Sequence, residues 1–163
     1  MRHFAFLAPL TAAMTLAGAA AAQPSAVVVT VSPDFAKTAA ELGTRDVQQQ
    51  ADDLARTVER VLTEQQALDG ARIELVITDL KPNRPTMQQA ALKPGLDMMR
   101  SISLGGAAIE GTITTASGEV QPVKYDYYST NLADVRGYST WQDASTAFNR
   151  LARNLAEGRY VVR

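Results

Sequence analysis

The side chains that could do chemistry in this chain are mainly carboxylates. The chain has no cysteine, and its single histidine, His3, lies in an N-terminal stretch that we expect to be removed. A Ser-His-Asp triad, a Cys-His dyad and the common zinc and copper ligand sets are therefore excluded. A Ser-x-x-Lys pattern is also absent beyond that stretch. We accordingly predict no metal site, no cofactor and no catalytic residue.

Five carboxylates provide the enzymatic alternative. They lie on or beside predicted strands, at Glu74, Asp79, Glu110, Glu119 and Asp126. Two carboxylates about 5–10 Å apart can hydrolyse a glycosidic bond, so a carboxylate-only hydrolase of envelope glycans is one hypothesis. The alternative is that these carboxylates simply point outward from half-exposed strands and have no catalytic role. A calcium loop is disfavoured because no D-x-D-x-D-G motif occurs.

The most unusual segment is residues 79–86, DLKPNRPT. Its two prolines restrict the backbone on either side of Asn83 and Arg84, which carry an amide and a guanidinium group. Loops on a rigid scaffold are frequent recognition sites, so we predict that Lys81, Asn83 and Arg84 bind a partner. In that case Asn83 and Arg84 should be exposed, with few internal bonds. The alternative is a stiff crossover in which Arg84 bonds inward to a carbonyl or a carboxylate.

Aromatic residues gather in the last third of the chain, at Tyr125, Tyr127, Tyr128, Tyr138 and Trp141. Aromatic side chains are favoured at binding surfaces, but they are also ordinary core residues. Tyr125 and Tyr127 share one strand face, which we predict to be the inner one. Tyr128 should point outward, and it completes the predicted set of binding residues.

The N-terminus has the three parts of a secretory signal. Positive charge at the start is followed by an almost wholly apolar run at 4–19 and by three small residues. We predict cleavage after Ala22, with Ala21 as the competing site. A membrane anchor is the alternative, but the apolar run is short for a span and no charge cluster follows it. We therefore predict a signal peptide at 1–22 and a single α+β domain at 23–163. The mature protein is predicted to be periplasmic or secreted.

The charges of the chain argue against nucleic acid as a partner. The net charge is −1, and lysine and arginine are dispersed rather than clustered. No basic stripe is available to neutralise phosphates, and export would separate the protein from nucleic acid. No second apolar run is long enough to span a bilayer, so the mature chain should have no transmembrane segment. We expect an envelope protein or a glycan as partner, and the oligomeric state stays open.

Hydrophobic periodicity predicts a mixed α+β fold. Strands are predicted at 26–31, 72–80, 107–115 and 120–129, and helices at 33–42, 44–68 and 141–155. Ser32 and Thr44 are the predicted N-caps of the first two helices. Residues 81–94 form a proline-rich loop with a helical turn at 87–92, and 160–162 is an edge strand or a frayed end. The order is β-α-α-β-β-β-α, and a mixed β-sheet with its helices on one face buries every apolar stripe.

Three short motifs carry a resemblance. They are 79–86 (DLKPNRPT), 93–96 (KPGL) and 105–107 (GGA) leading into IEGTI. With the 141–155 helix they resemble a group of small exported proteins of proteobacteria that has no agreed activity. The strand and helix order is similar, in topology alone, to periplasmic lipoprotein domains of envelope assembly, such as the curli secretion lipoprotein and the TolB N-terminal domain. This resemblance implies an envelope protein, contributes no functional residues, and is weakened by the missing lipid-anchor cysteine.

The leading hypothesis is a non-enzymatic periplasmic binding or envelope-assembly module. It rests on export, the missing catalytic residue types and a compact mixed sheet. The hydrolase hypothesis requires a concave pocket with convergent acids. A third hypothesis, a carrier of a small apolar ligand, requires a closed cavity under the sheet.

Overall fold

The strands predicted from alternating apolar residues form one sheet, in which they lie side by side in chain order. The computed structural model describes residues 23–135 and 139–162. Its strands are β1 (Ala26–Val31), β2 (Arg72–Lys81), β3 (Gly106–Thr114), β4 (Val120–Tyr128) and β5 (Val161–Val162). β2, β3 and β4 form an antiparallel meander, whereas β1 is parallel to β2 and β5 is parallel to β4. The predicted mixed sheet of an α+β protein is therefore confirmed.

In the described residues, four α-helices accompany the sheet. They are α1 (Ala36–Leu42), α2 (Thr44–Glu64), α3 (Met87–Leu92) and α4 (Gln142–Ala156). α3 is the helical turn predicted in the proline-rich loop, and Thr86 and Gln89 form a reciprocal capping box at its start. Each helix in the described part of the chain is too short or too polar to span a bilayer.

The two long helices pack against each other and against one face of the sheet, as predicted. Leu54 and Val58 of α2, and Phe148 and Leu151 of α4, are buried there among the inward side chains of the central strands. Each helix belongs to a parallel crossover, α2 between β1 and β2 and α4 between β4 and β5. The opposite face of the sheet carries polar residues, and we call it the open face.

The predicted N-caps differ from the observed ones. Ser32 precedes a short 3₁₀ turn at Pro33–Phe35, but its side chain makes no capping hydrogen bond. Thr44 lies inside the first turn of α2, and Gly43 takes the cap position. Gly43 has a φ of 105°, a conformation that favours glycine, and this allows one residue to end α1 and start α2.

A β-bulge at Thr78 determines which polar side chains reach the open face. Ile77 pairs with Ile109, but Asp79 pairs with Ala108, so Thr78 is the extra residue of β2. Side chains alternate along a strand, and one inserted residue reverses that alternation. Asp79 therefore points to the open face together with Lys81, while Leu80 is buried.

Candidate functional site

Asn83 lies in the interior, immediately after β2. Its side chain is 0% exposed. The amide nitrogen Nδ2 donates to Asp143 Oδ2 at 2.5 Å and to the Ser103 carbonyl at 3.2 Å. The amide oxygen accepts from the Asp143 backbone N–H at 2.8 Å. Asn83 thus joins the end of β2 to the first turn of α4 and to the chain that leads into β3.

Asp143 and Gly105 extend these contacts to the end of β4. Asp143 Oδ2 also accepts from the Gly105 N–H at 3.3 Å, and the same N–H donates to Ser129 Oγ at 3.1 Å. A Cβ on Gly105 would lie 2.6 Å from Asn83 Oδ1, so only glycine permits this approach. Asp143 is in the first turn of α4, where a negative charge is favourable. We call Asn83, Ser103, Gly105, Ser129 and Asp143 the anchor network.

Arg84 is also directed inward, and it is 7% exposed. Its Nη1 donates to the Met99 carbonyl. Met99 belongs to a turn in which Asp97 Oδ1 accepts from the N–H groups of Met99 and Arg100 at 2.7 and 2.9 Å. Arg84 therefore connects the turn after β2 to the backbone around residues 97–101.

The exposure expected of Asn83 and Arg84 as recognition residues is therefore wrong. Both side chains are buried and both bond to other parts of the chain. The physical reason is that an amide and a guanidinium satisfy buried polar groups left between β2, the chain before β3 and α4. Arg84 bonds to a backbone carbonyl, as the structural alternative predicts, and Asp79 pairs elsewhere.

Lys81 and Tyr128, the other two predicted binding residues, come together on the open face. Tyr128 Oη donates to Asp79 Oδ2 at 2.7 Å. Lys81 Nζ lies 3.6 Å from the same oxygen and 4.7 Å from the centre of the Tyr128 ring. Desolvation, followed by the hydrogen bond to Asp79, raises the pKa of Tyr128 above its ordinary value. Tyr128 faces outward as predicted, but its hydroxyl group is already bonded.

α3 and the segment that follows it carry most of the exposed large apolar side chains. Of the eleven exposed large hydrophobic side chains in the described residues, seven lie in the stretch 87–104, which we call the apolar segment. They are Met87, Leu92, Leu96, Met98, Met99, Ile102 and Leu104. Three of them, Leu96, Ile102 and Leu104, line a groove of about 340 Å³ together with Lys81 and two prolines. Exposed large apolar side chains that line a groove are typical of interaction sites.

The predicted carboxylates do not converge on a cavity. Glu74 pairs with Arg72 at 2.7 Å, and Glu110 pairs with Lys124 at 2.6 Å, all on the open face. None of Glu74, Asp79, Glu110, Glu119 or Asp126 lines the principal grooves of residues 23–135 and 139–162. No cluster of acidic residues or histidine suited to a metal ion occurs in this described part either.

Tyr138 and the predicted signal peptide at 1–22 lie outside the described residues. Tyr125 is buried on the inner face as predicted, and Tyr127 is half-buried beneath the Arg150 guanidinium, 4.2 Å from its ring centre.

Comparison of the chain with models of known protein families gave no match, and comparison with curated proteins gave none either. We therefore infer the function from the contacts and exposure of the described residues.

Proposed function

We propose that the protein is a non-enzymatic binding or assembly module of the bacterial periplasm, and that its partner contacts the apolar segment 87–104. The observation that supports this proposal is the concentration of exposed apolar side chains in one segment. Met99, for example, is 75% exposed although the backbone beneath it is bonded to Arg84. Large apolar groups displayed in this way lower the free energy of the system when a partner covers them.

The anchor network explains how such a surface could be held in one shape. The segment leaves β2 at the bonded Asn83 and returns to β3 at the bonded Gly105. Ser103 N–H donates to the Asn83 carbonyl at 2.9 Å, so both ends are tied to each other. A surface ordered before binding loses less conformational entropy on association.

The chemistry of the segment favours an apolar stretch of an envelope protein over a glycan. Residues 81–104 contain methionine, leucine and isoleucine but no aromatic residue. Methionine side chains adapt to the apolar side chains of a protein partner. A glycan would instead require convergent polar groups, and the nearby Lys81 and Asp79 are occupied with Tyr128.

Periplasmic location is the first part of the proposal to test. The full chain should be expressed in a Gram-negative host, and the protein from the periplasmic fraction should be sequenced from its N-terminus. We expect Gln23 as the first residue, or Ala22 if the competing site is used. A chain that retains the apolar run at 4–19 would contradict the proposal.

The contact surface can be tested by site-specific photo-crosslinking. A crosslinker at residue 99 or 102 should capture one envelope protein, whereas a crosslinker at Val120, 60% exposed on the hairpin, should not. The identified partner should then lose affinity about 10-fold or more for Met99→Asp, with an unchanged melting temperature. Equal capture at all three positions, or sedimentation of the protein with purified peptidoglycan, would contradict a protein partner at this surface.

A further inference from the structure

Beyond residue 22, all the sulfur of the chain lies in the apolar segment. The sequence has five methionines and no cysteine, and Met1 and Met14 belong to the predicted signal peptide. The other three are Met87, Met98 and Met99. An oxidant that reacts with sulfur therefore meets thioethers only, and it meets them only in this segment.

These three methionines are exposed to solvent. Met99 is 75% exposed and Met87 is 72% exposed, which makes them the two most exposed large hydrophobic side chains of the described residues. Met98 is 40% exposed. Methionine is among the residue types most often fully buried, so three exposed methionines and no buried one is an unusual distribution. A small oxidant reaches these sulfur atoms without any unfolding of the chain.

Two of the three side chains project from a backbone that is held in place. The Met99 carbonyl accepts from Arg84, and the Met99 N–H donates to Asp97 Oδ1 at 2.7 Å. Met87 is the first residue of α3, which begins with the capping box described above. The exposure of these thioethers is therefore a property of the folded chain.

The core, by contrast, contains no methionine. Its buried hydrophobic side chains in the described residues are those of alanine, valine, leucine, isoleucine and phenylalanine, together with Tyr125. Oxidation adds a polar oxygen atom to methionine, and this disrupts a core in which the side chain is packed. Because the methionines lie outside the core, the same change alters the surface and spares the packing.

We propose that Met87, Met98 and Met99 are sites of reversible oxidation to methionine sulfoxide by a peroxide, and that this modification switches off the contact surface of the apolar segment. Each thioether gives up two electrons and takes one oxygen atom from hydrogen peroxide, which is reduced to water. Methionine sulfoxide reductases reverse the step, in which two thiols are oxidised to a disulfide and the oxygen leaves as water. The switch rests on the proposed function of the segment, whereas the modification does not.

The sulfoxide opposes binding for a physical reason. Its oxygen is a hydrogen-bond acceptor that loses its water when an apolar partner covers it, and it gains no donor in return. The burial of a thioether is favourable, so each oxidation replaces a gain by a cost. The leucine and isoleucine side chains of the segment keep their apolar character, because they contain no oxidisable atom.

The modification and the fold can be measured together on the purified mature protein. Dilute hydrogen peroxide should add up to three oxygen atoms, about 16 Da each, at Met87, Met98 and Met99 in peptide mass spectrometry. Met87 and Met99 should react within about 3-fold of the rate of a short methionine peptide, and Met98, the least exposed, should react last. The melting temperature should fall by less than about 2 °C. Reaction more than about 10-fold slower than in the peptide, or unfolding on oxidation, would overturn the proposal.

The change in the surface can be measured without a partner. Retention of the protein on a phenyl column should decrease after oxidation and return after treatment with methionine sulfoxide reductases and dithiothreitol. The control combines Met87→Leu, Met98→Leu and Met99→Leu, which keep apolar side chains of similar volume but remove the sulfur. Peroxide should not change the retention of this variant. A natural chain whose retention is equally insensitive to peroxide would overturn the switch.

Photo-crosslinking separates this inference from the proposed function. The protein carrying a crosslinker at residue 102 should be oxidised, freed of peroxide and added to an envelope extract, and its crosslinks should fall about 10-fold or more relative to the unoxidised protein. In the leucine variant, crosslinking before and after peroxide should be equal. Undiminished crosslinks in the oxidised natural chain would overturn the switch and leave the proposed function standing. No crosslink before oxidation would contradict the proposed function and the switch with it, whereas sulfoxides at the three methionines would still support the modification.

Discussion

Replacing Asn83 by alanine is the sharpest test of the anchor network. The substitution removes two hydrogen bonds to Asp143, at 2.5 and 2.8 Å, and one to the Ser103 carbonyl at 3.2 Å. A hydrogen bond to a charged group contributes about 1.5–3 kcal/mol and a neutral one about 1 kcal/mol. Because the site is buried, the Asp143 carboxylate would also lose its amide donor without gaining water. We expect a loss of about 3–4 kcal/mol in the free energy of unfolding.

That loss can be measured by thermal and denaturant unfolding. In a domain of this size it corresponds to a fall of roughly 10–15 °C in the melting temperature. The matched control is Asn149→Ala in α4, where the side chain donates to the Ser145 carbonyl at 2.8 Å on the exposed surface. This control should change stability by about 1 kcal/mol or less. Equal losses in the two variants would refute the role of the network.

A second substitution at the same position tests the electrostatic part of the reasoning. Asn83→Asp keeps the size of the side chain but places a second carboxylate against Asp143. Two carboxylates this close do not both ionise, so the folded variant must bind a proton that its unfolded chain releases near neutral pH. Its stability relative to the natural chain should therefore rise as the pH falls from about 7 to about 5. A constant difference across that range would show that the two side chains are farther apart than described.

Three other substitutions, two of them paired with a control variant, test separate parts of the structure. Arg84→Ala should lower the melting temperature by several degrees, because Arg84 donates a hydrogen bond to the Met99 backbone. Its control, Arg100→Ala on the exposed side of the same turn, should leave the melting temperature unchanged. Leu54→Ala should lower the free energy of unfolding, measured with denaturant, by about 2–5 kcal/mol, since Leu54 is fully buried. Its control, Glu59→Ala, should lower it by less than about 0.5 kcal/mol, since Glu59 is exposed. The folded pKa of Tyr128 is raised, so its contribution to stability should be present below about pH 10 and be lost above it. In Tyr128→Phe, the tyrosine that ionises at the highest pH should be missing from a pH titration followed by ultraviolet absorbance. An unchanged titration curve would contradict the bond to Asp79.

The fold was predictable because its signals are local. Ile73, Leu75 and Ile77 alternate with exposed or half-exposed residues, and all three are buried. The apolar stripe through Leu54 and Val58 likewise matches the buried face of α2. The bulge at Thr78 was not predictable in this way, because strict alternation from Ile73 would place Asp79 on the buried face. A bulge depends on the partner strand, and the pattern of β2 contains no information about its pairing with β3.

The candidate site was less predictable because its contacts are long-range. Asn83 and Arg84 are polar, stand between prolines and resemble an exposed loop when only their neighbours are considered. Their burial depends on Asp143, sixty residues later, and on the chain around residue 99. Asp143 was missed because an acidic residue in the first turn of a helix has a sufficient local explanation. An observation that could have indicated the site is Gly105-Gly106 before a strand, since such glycines often allow close contact with another side chain.

The arrangement of polar and apolar groups around this loop reverses the usual one. The polar side chains of Asn83, Arg84 and Asp143 are inside, whereas the large apolar side chains of residues 87–104 are outside. Buried polar groups add little stability over apolar groups of the same shape, but they select one geometry, because removing or displacing one of them leaves a donor or acceptor without a partner. If the apolar segment is a contact surface, this geometry is what the partner binds. Asn83→Ala should then reduce crosslinking through residue 99 more than Met87→Ala does, although Asn83 is buried and Met87 is exposed.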